Sequence, residues 1–164
     1  MSRYETAVQE ALGWNGRYFA YLNECRHFGR LVAHRYEQYL EAPKGRLRYM
    51  GLSDKLEGTD DVRELTDYPT LVRGPNTFYY FGLSLRYTHN DSRYVDERFY
   101  LGLQRSGAGW VVIWAEKSFL VPDDKPDALN VLFDALQQDT LQNFAAPITS
   151  PTRTIGFLQH EVAE

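Results

Sequence analysis

His27 and His34 stand seven residues apart, so on a helix they project from nearly the same side, with Arg30 between them and Arg26 a little further round. Such a strip is suited to meeting an anion or an acidic partner. The same residues also describe a solvated helix face, screened by Glu24, Glu37 and Glu41. Glu24 and His27 have the Glu-x-x-His spacing of di-iron helical bundles, but that site draws further carboxylates from other helices and the chain carries no second copy of the motif. Cys25 falls in the apolar stripe of the same helix, where a free thiol behaves as a small buried hydrophobe. A nucleophilic cysteine needs an activating group close by in space, and His27, two residues on, points to the opposite side.

His89, Asp91, Asp96 and Glu97 gather around one predicted hairpin loop, and Asp60, Asp61 and Glu64 lie in an acidic stretch. Either group offers carboxylates for a metal or an acid/base pair. Neither has a second ligand set at fixed spacing, so both are expected to be solvated surface, with no metal and no cofactor. The phosphate loop, the dinucleotide glycine fingerprint, the paired Cys-x-x-Cys, His-Glu-x-x-His and the nucleophile elbow are all missing, which excludes the commonest nucleotide and zinc enzymes.

A different kind of site emerges from residues 78–121, where Tyr, Phe and Trp recur with a period of two. Tyr79, Phe81, Leu83, Leu85 and Tyr87 point one way. On the other face Gly82, Ser84 and Gly102 are small and are ringed by Tyr80, Arg86, Arg98 and Tyr100. If the preceding loop keeps the apolar faces together, Ser84 neighbours Gly102, and the small residues open a shallow groove rimmed by the residue types that dominate binding hot spots. The competing expectation is that a helix lies in that groove, with Gly29 fitted against the small residues.

The elements that must position these groups follow from the same periodicities. A short helix over residues 4–12 is interrupted by Gly13-Trp14-Asn15-Gly16, with Asn15 as the N-cap of a second, longer helix. Tyr18, Leu22, Cys25, Gly29, Val32, Tyr36 and Tyr39 then recur at spacings of four and three until Pro43 stops the helix. A short strand is predicted over 46–52, followed by an acidic loop over 54–67 with a helical turn around 62–65. Strands follow over 78–88 and 99–103, and Ser106-Gly107-Ala108-Gly109 turns the chain into a run over 110–121. Asp123-Asp124-Lys125-Pro126 starts a C-terminal helix over about 126–145 with Leu129, Leu132, Phe133, Leu136 and Phe144 on one face, and a last strand is predicted over about 153–159. The expected fold is α+β. It is a single domain over residues 1–164, with N-terminal helices about 4–41 and the C-terminal helix packed on a mostly antiparallel sheet of about 4–6 strands, the sheet occupying about 46–121.

Composition narrows the function classes. The 43% hydrophobic and 24% charged content is that of a globular domain, while the 15% aromatic share asks for a core or a partner. Net charge is −4, but residues 1–50 hold +3 and residues 51–164 hold −7. No concentrated basic surface of the nucleic-acid-binding kind is present, which argues against DNA or RNA as partner. Arginine supplies fourteen of the eighteen basic residues, a bias suited to bidentate pairing with carboxylates. No segment approaches the roughly eighteen uninterrupted apolar residues of a membrane span, and a single cysteine with no apolar leader predicts a reducing, cytoplasmic setting. The expected function is that of a non-catalytic protein-binding module of inhibitor, immunity, adaptor or secretion-chaperone type. It would use the aromatic and arginine face or the acidic surface, with another protein as partner and a homodimer through the long stripe compatible with it. The alternative is a small-molecule site, enzymatic or not, between sheet and long helix, with Tyr80, Arg86, Tyr100 or His34 as polar contacts.

Overall fold

A computed structural model describes residues 1–90 and 92–146 together with the backbone of 156–161. The chain begins as one helix, α1 (Arg3–Leu40), with no break at the glycines. Ser2 and Glu5 form a reciprocal capping box that fixes the start, and Trp14 stacks on Tyr18 one turn later, at 5.3 Å between ring centroids. Two helical glycines cost about 1 kcal/mol each, less than the capping and the propensity of the surrounding Glu, Ala, Leu and Arg recover. At the other end Glu41 takes a left-handed conformation (φ 51°), and Pro43 prevents continuation.

Among the described residues eight strands share one antiparallel sheet: β1 (Leu47–Leu52), β2 (Gly58–Glu64), β3 (Val72–Arg73), β4 (Tyr79–Thr88), β5 (Arg93–Ser106), β6 (Gly109–Trp114), β7 (Lys117–Pro122) and β8 (Gly156–Glu161). Their order is β2-β1-β4-β5-β6-β7, with β3 on β4 and β8 on β5. The sheet exceeds the expected size for three reasons, the smallest being that Val72–Arg73, read as a connection, pairs with β4 as a two-residue strand. The acidic 58–64 stretch is an edge strand rather than a loop, its charges standing in solvent on both faces so that no apolar alternation marks it. The 110–121 run is two strands, because Ala115 adopts φ 54° and folds the chain back at Ala115-Glu116.

A short helical turn (Pro126–Ala128) leads into α2 (Leu129–Ala145). Both helices lie on the same face of the sheet. Leu22, Cys25, Phe28, Val32 and Tyr36 of α1 and Leu129, Leu132, Phe133 and Leu136 of α2 close one core with Tyr79, Phe81, Leu83, Leu85, Phe99, Leu101, Leu103 and Trp110. Phe144, predicted on this face, is 46% exposed and meets Tyr87 edge-on, at 5.3 Å. Residues 153–155 of the predicted last strand lie outside the described residues.

Gly29 makes its packing contact on this layer. A Cβ there would stand 3.1 Å from Pro69, 3.4 Å from Leu103 and 3.5 Å from Phe81. The long helix therefore covers the large-residue face, and the expectation that Gly29 nests against Gly82, Ser84 and Gly102 is corrected. The reason is area: burying the Phe81, Leu83, Leu101 and Leu103 row removes far more apolar surface from water than burying glycines would.

Candidate functional site

The sheet face turned away from both helices holds four of the residues singled out by sequence. Tyr80, Arg86, Arg98 and Tyr100 share it with Arg48 and Met50 of β1, because register places Ser84 between Arg48 and Arg98, Gly82 between Met50 and Tyr100, and Tyr80 opposite Gly102. The expected Ser84–Gly102 pairing is thus displaced. The β4–β5 connection is tighter than predicted, and β5 begins at Arg93, so Asp96 and Glu97 belong to a strand and not to a loop. Asp91 lies outside the described residues.

Rings and sulfur fill the space that the small residues leave. Tyr80 lies over Gly102, where an added Cβ would come within 2.7 Å of its ring, and meets Tyr100 edge-on at 5.7 Å. Gly82 sits beneath Met50 and Leu52. The face is therefore a packed arginine and tyrosine surface rather than the expected groove. Gly82→Val is expected to lower stability by about 2–3 kcal/mol in urea unfolding, since its Cβ would stand 2.6 Å from the Met50 carbonyl oxygen, an atom that cannot yield without parting β1 from β4. An unchanged midpoint would contradict this close approach.

Charges on the face are unevenly matched. Arg86 donates to both carboxylate oxygens of Asp96, at 2.8 and 2.9 Å, and its guanidinium lies 3.7 Å from the centre of the Tyr94 ring. Arg48 and Arg98 differ: the Nε of each is buried without a hydrogen-bond acceptor, and among the described residues neither forms an ion pair. Between them Ser84 is 1% exposed, while Tyr100 beside them is 40% exposed. Two cations one strand either side of a buried serine, next to an accessible phenol, form an arrangement able to receive carboxylates in bidentate fashion. Sequence reading missed Arg48. Its signal was present in the alternation of Leu47 and Tyr49 with Arg48 and Met50, but only strand order brings it beside Ser84.

The helical strip is placed elsewhere and used differently. His34 Nε2 donates to the Leu65 carbonyl at 2.9 Å, His27 meets the Tyr68 ring edge-on at 5.0 Å, and Arg30 lies 4.7 Å from the centre of the same ring. A nitrogen that donates cannot also accept, so the 3.5 Å approach of Arg30 Nε to His34 Nε2 adds little, and the ring contact holds Arg30. Arg26 bonds to Asn23 at 3.2 Å and lines a cleft with Arg63 and Asp67. Together these contacts fasten the 65–69 segment to α1. His34→Ala is expected to loosen that segment by about 1 kcal/mol, read as faster amide exchange over 65–69 with the sheet unchanged. Equal exchange would mean that the bond holds nothing.

Cys25 is completely buried, and burial pushes its thiol up to about 11, the behaviour of an inert core residue. Among the described residues no group of three or more His, Cys, Asp or Glu is placed to hold a metal ion. Side chains fill the layer between α1 and the sheet, with Val32, Ala33, Phe81, Leu83, Leu101 and Leu103 at zero exposure. Tyr80, Arg86 and Tyr100 face away from that layer, and a cleft of about 1120 Å³ opens instead at the sheet margin among Pro43, Arg46, Arg86, Tyr87 and Tyr94.

Glu97, expected with Asp96 on a solvated hairpin loop, is corrected by the structure to a buried strand position. It is fully buried under α2, in phase with Phe99, Leu101 and Leu103, and that phase was its signal. Thr140 Oγ1 donates to its Oε2 at 2.6 Å and Tyr87 reaches its Oε1 at 3.4 Å. Desolvation nonetheless pushes its carboxyl up from 4.5 to about 7. Proton counting agrees: Thr140 Oγ1 also lies 3.0 Å from the Leu136 carbonyl, and one hydroxyl proton cannot serve both acceptors. When Glu97 is protonated it donates to Thr140, and Thr140 donates to Leu136.

No protein-family model matches the chain, and neither the curated proteins nor the solved structures give a significant match. No helix among the described residues is long and apolar enough to cross a membrane.

Proposed function

We propose that this chain is a non-catalytic protein-binding module, of inhibitor, immunity, adaptor or secretion-chaperone type, that takes an acidic partner on the helix-free face of its sheet. The observation that carries the reading is the pair Arg48 and Arg98, each with a buried Nε that lacks an acceptor, flanking Ser84. Both arginines are only half-buried, and a partner carboxylate on the outer nitrogens of each guanidinium adds charge-assisted bonds. Tyr100 supplies an exposed ring at the rim, and the partner's acidic groups meet a local cationic patch on a chain whose net charge is −4. A free, buried thiol suits a reducing compartment, and we place the protein in the cytoplasm.

Affinity capture of the tagged chain from its native host tests this, with Arg48→Glu/Arg98→Glu and Tyr100→Ala beside the wild type. A stoichiometric partner that the double variant loses, at an unchanged unfolding midpoint, is the expected result. Equal recovery on the charge-reversed face would overturn the reading.

A further inference from the structure

α2 is held to the sheet in two different ways along its length. Leu129, Leu132, Phe133 and Leu136 pack its first half into the core at 1% exposure or less. Beyond Leu136 the helix buries one further residue, Thr140, and that residue is polar. Leu141 is 60% exposed and Phe144 46%. Among the described residues, the 137–145 segment is fastened by Thr140 on Glu97 at 2.6 Å, by the Tyr39 hydroxyl 3.1 Å from the Gln137 side-chain oxygen, and by Phe144 edge-on to Tyr87 at 5.3 Å.

Glu97, fully buried beneath this segment, is met by groups from every element packed on it. α1 brings Tyr36, 1% exposed, whose hydroxyl has no hydrogen-bond partner. β4 brings Tyr87, and α2 brings Thr140 and the negative charge of Asp139. β8 runs alongside β5 with Phe157 opposite Glu97. No described group that acts on Glu97 is a cation.

We propose that residues 137–145 are a proton-operated latch, seated on the sheet while Glu97 is protonated and released when it is ionised. Hydrogen-bond counting sets the direction. Protonated, Glu97 donates to Thr140 and Thr140 donates to the Leu136 carbonyl, so that carboxyl, hydroxyl and carbonyl are all served. Ionised, Glu97 can only accept, and Thr140 has one proton for two acceptors. A buried carboxylate with no cation needs water. Aliphatic packing closes the first half of α2, so water enters under the end that Thr140 alone seals. The Tyr36 hydroxyl, unpartnered while the helix is seated, gains water in the same movement, which lowers the cost of opening. Leu129 to Leu136 stay in the core, so the opening is local.

The sign of the pH effect follows from the two environments. Burial lifts the Glu97 carboxyl to about 7 from an ordinary 4.5, so the closed form holds the proton more tightly and opening becomes easier as pH rises between those values.

Amide hydrogen exchange on the full chain at pH 5 and 7.5, corrected for the intrinsic effect of pH, provides the test. The opening equilibrium of residues 137–145 is expected to rise about 50-fold between the two, and to exceed that of β4 and β6 at both. Glu97→Gln should keep the segment shut at both pH values, because its N–H donates to Thr140 as the protonated acid does. Asp139→Asn should leave the dependence in place.

Exchange of 137–145 only in step with β4 and β6 would overturn the proposal, since global unfolding alone would then uncover Glu97. So would an opening independent of pH, or one whose dependence survives Glu97→Gln. Loss of the dependence in Asp139→Asn would place the proton on Asp139 and overturn it too. These variants leave Arg48 and Arg98 untouched, so the result is separable from that for the helix-free face.

Discussion

Glu97→Gln is expected to stabilise the protein above about pH 7 and to remove a pH dependence that the wild type shows between about 4.5 and 7. The folded carboxyl holds its proton up to about 7, against 4.5 as its ordinary value, because it is buried beneath α2 with Thr140 and Tyr87 as its hydrogen-bond partners. The folded state therefore binds more protons than the unfolded state in that interval, and stability falls as pH rises through it. Below about 4.5 both states are protonated and nothing is lost. Above about 7 the cost is complete, on the order of 3 kcal/mol at 1.36 kcal/mol per unit. Glutamine keeps the shape and an N–H donor for Thr140 without the titrating proton. Urea unfolding of both proteins across the interval measures the difference. Parallel curves would show that Glu97 does not titrate there and that its burial is relieved in solution.

Asp96→Ala is expected to cost about 3 kcal/mol, since it removes two charge-assisted hydrogen bonds made by a buried carboxylate. Asp96 is 3% exposed and gives Arg86 two hydrogen bonds; without it the half-buried guanidinium keeps the Tyr94 ring but loses its carboxylate. Replacing both members, Arg86→Met with Asp96→Leu, should recover part of the loss, because apolar side chains fill the buried Asp96 position without a carboxylate to desolvate. A double-mutant cycle in urea decides it. If the double variant is as unstable as Asp96→Ala, the pair is holding β4 to β5 by geometry that apolar side chains cannot reproduce. If Asp96→Ala costs nothing, the contact is not formed in solution.

Much of the architecture could be read from local pattern. The stripe from Tyr18 to Tyr39 and the alternation from Phe78 to Thr88 each report a period that one buried face imposes on its own sequence, and the Asp-Asp-Lys-Pro start of the last helix reports the local demands of a helix N-terminus. The Leu103–Val112 pairing followed from the Gly-containing turn between β5 and β6. The edge strand β2 gave no such signal, because neither of its faces is buried deeply enough to demand apolar residues. The break predicted at Gly13 failed for the opposite reason: capping and aromatic stacking along α1 outweigh two unfavourable residues.

The site was legible in kind but not in place. Tyr80, Arg86, Arg98 and Tyr100 do share one face, since their phase within strands is a local property. Which residues stand beside them depends on register, and a connection shorter than expected moved Ser84 from Gly102 to Arg98. Arg48 joined them through the β1–β4 pairing, a contact between segments more than thirty residues apart.

The sequence by itself determined the fold class, the helical character of both ends and the phase of each long strand, because side-chain direction repeats every two or 3.6 residues whatever the rest of the chain does. Only the tertiary structure decided that both helices cover the same face, that Glu97 is sealed beneath α2 and that Arg48 and Arg98 flank Ser84. These are relations between distant segments, and they are set by which packing removes the most apolar surface from water, a property of the whole chain.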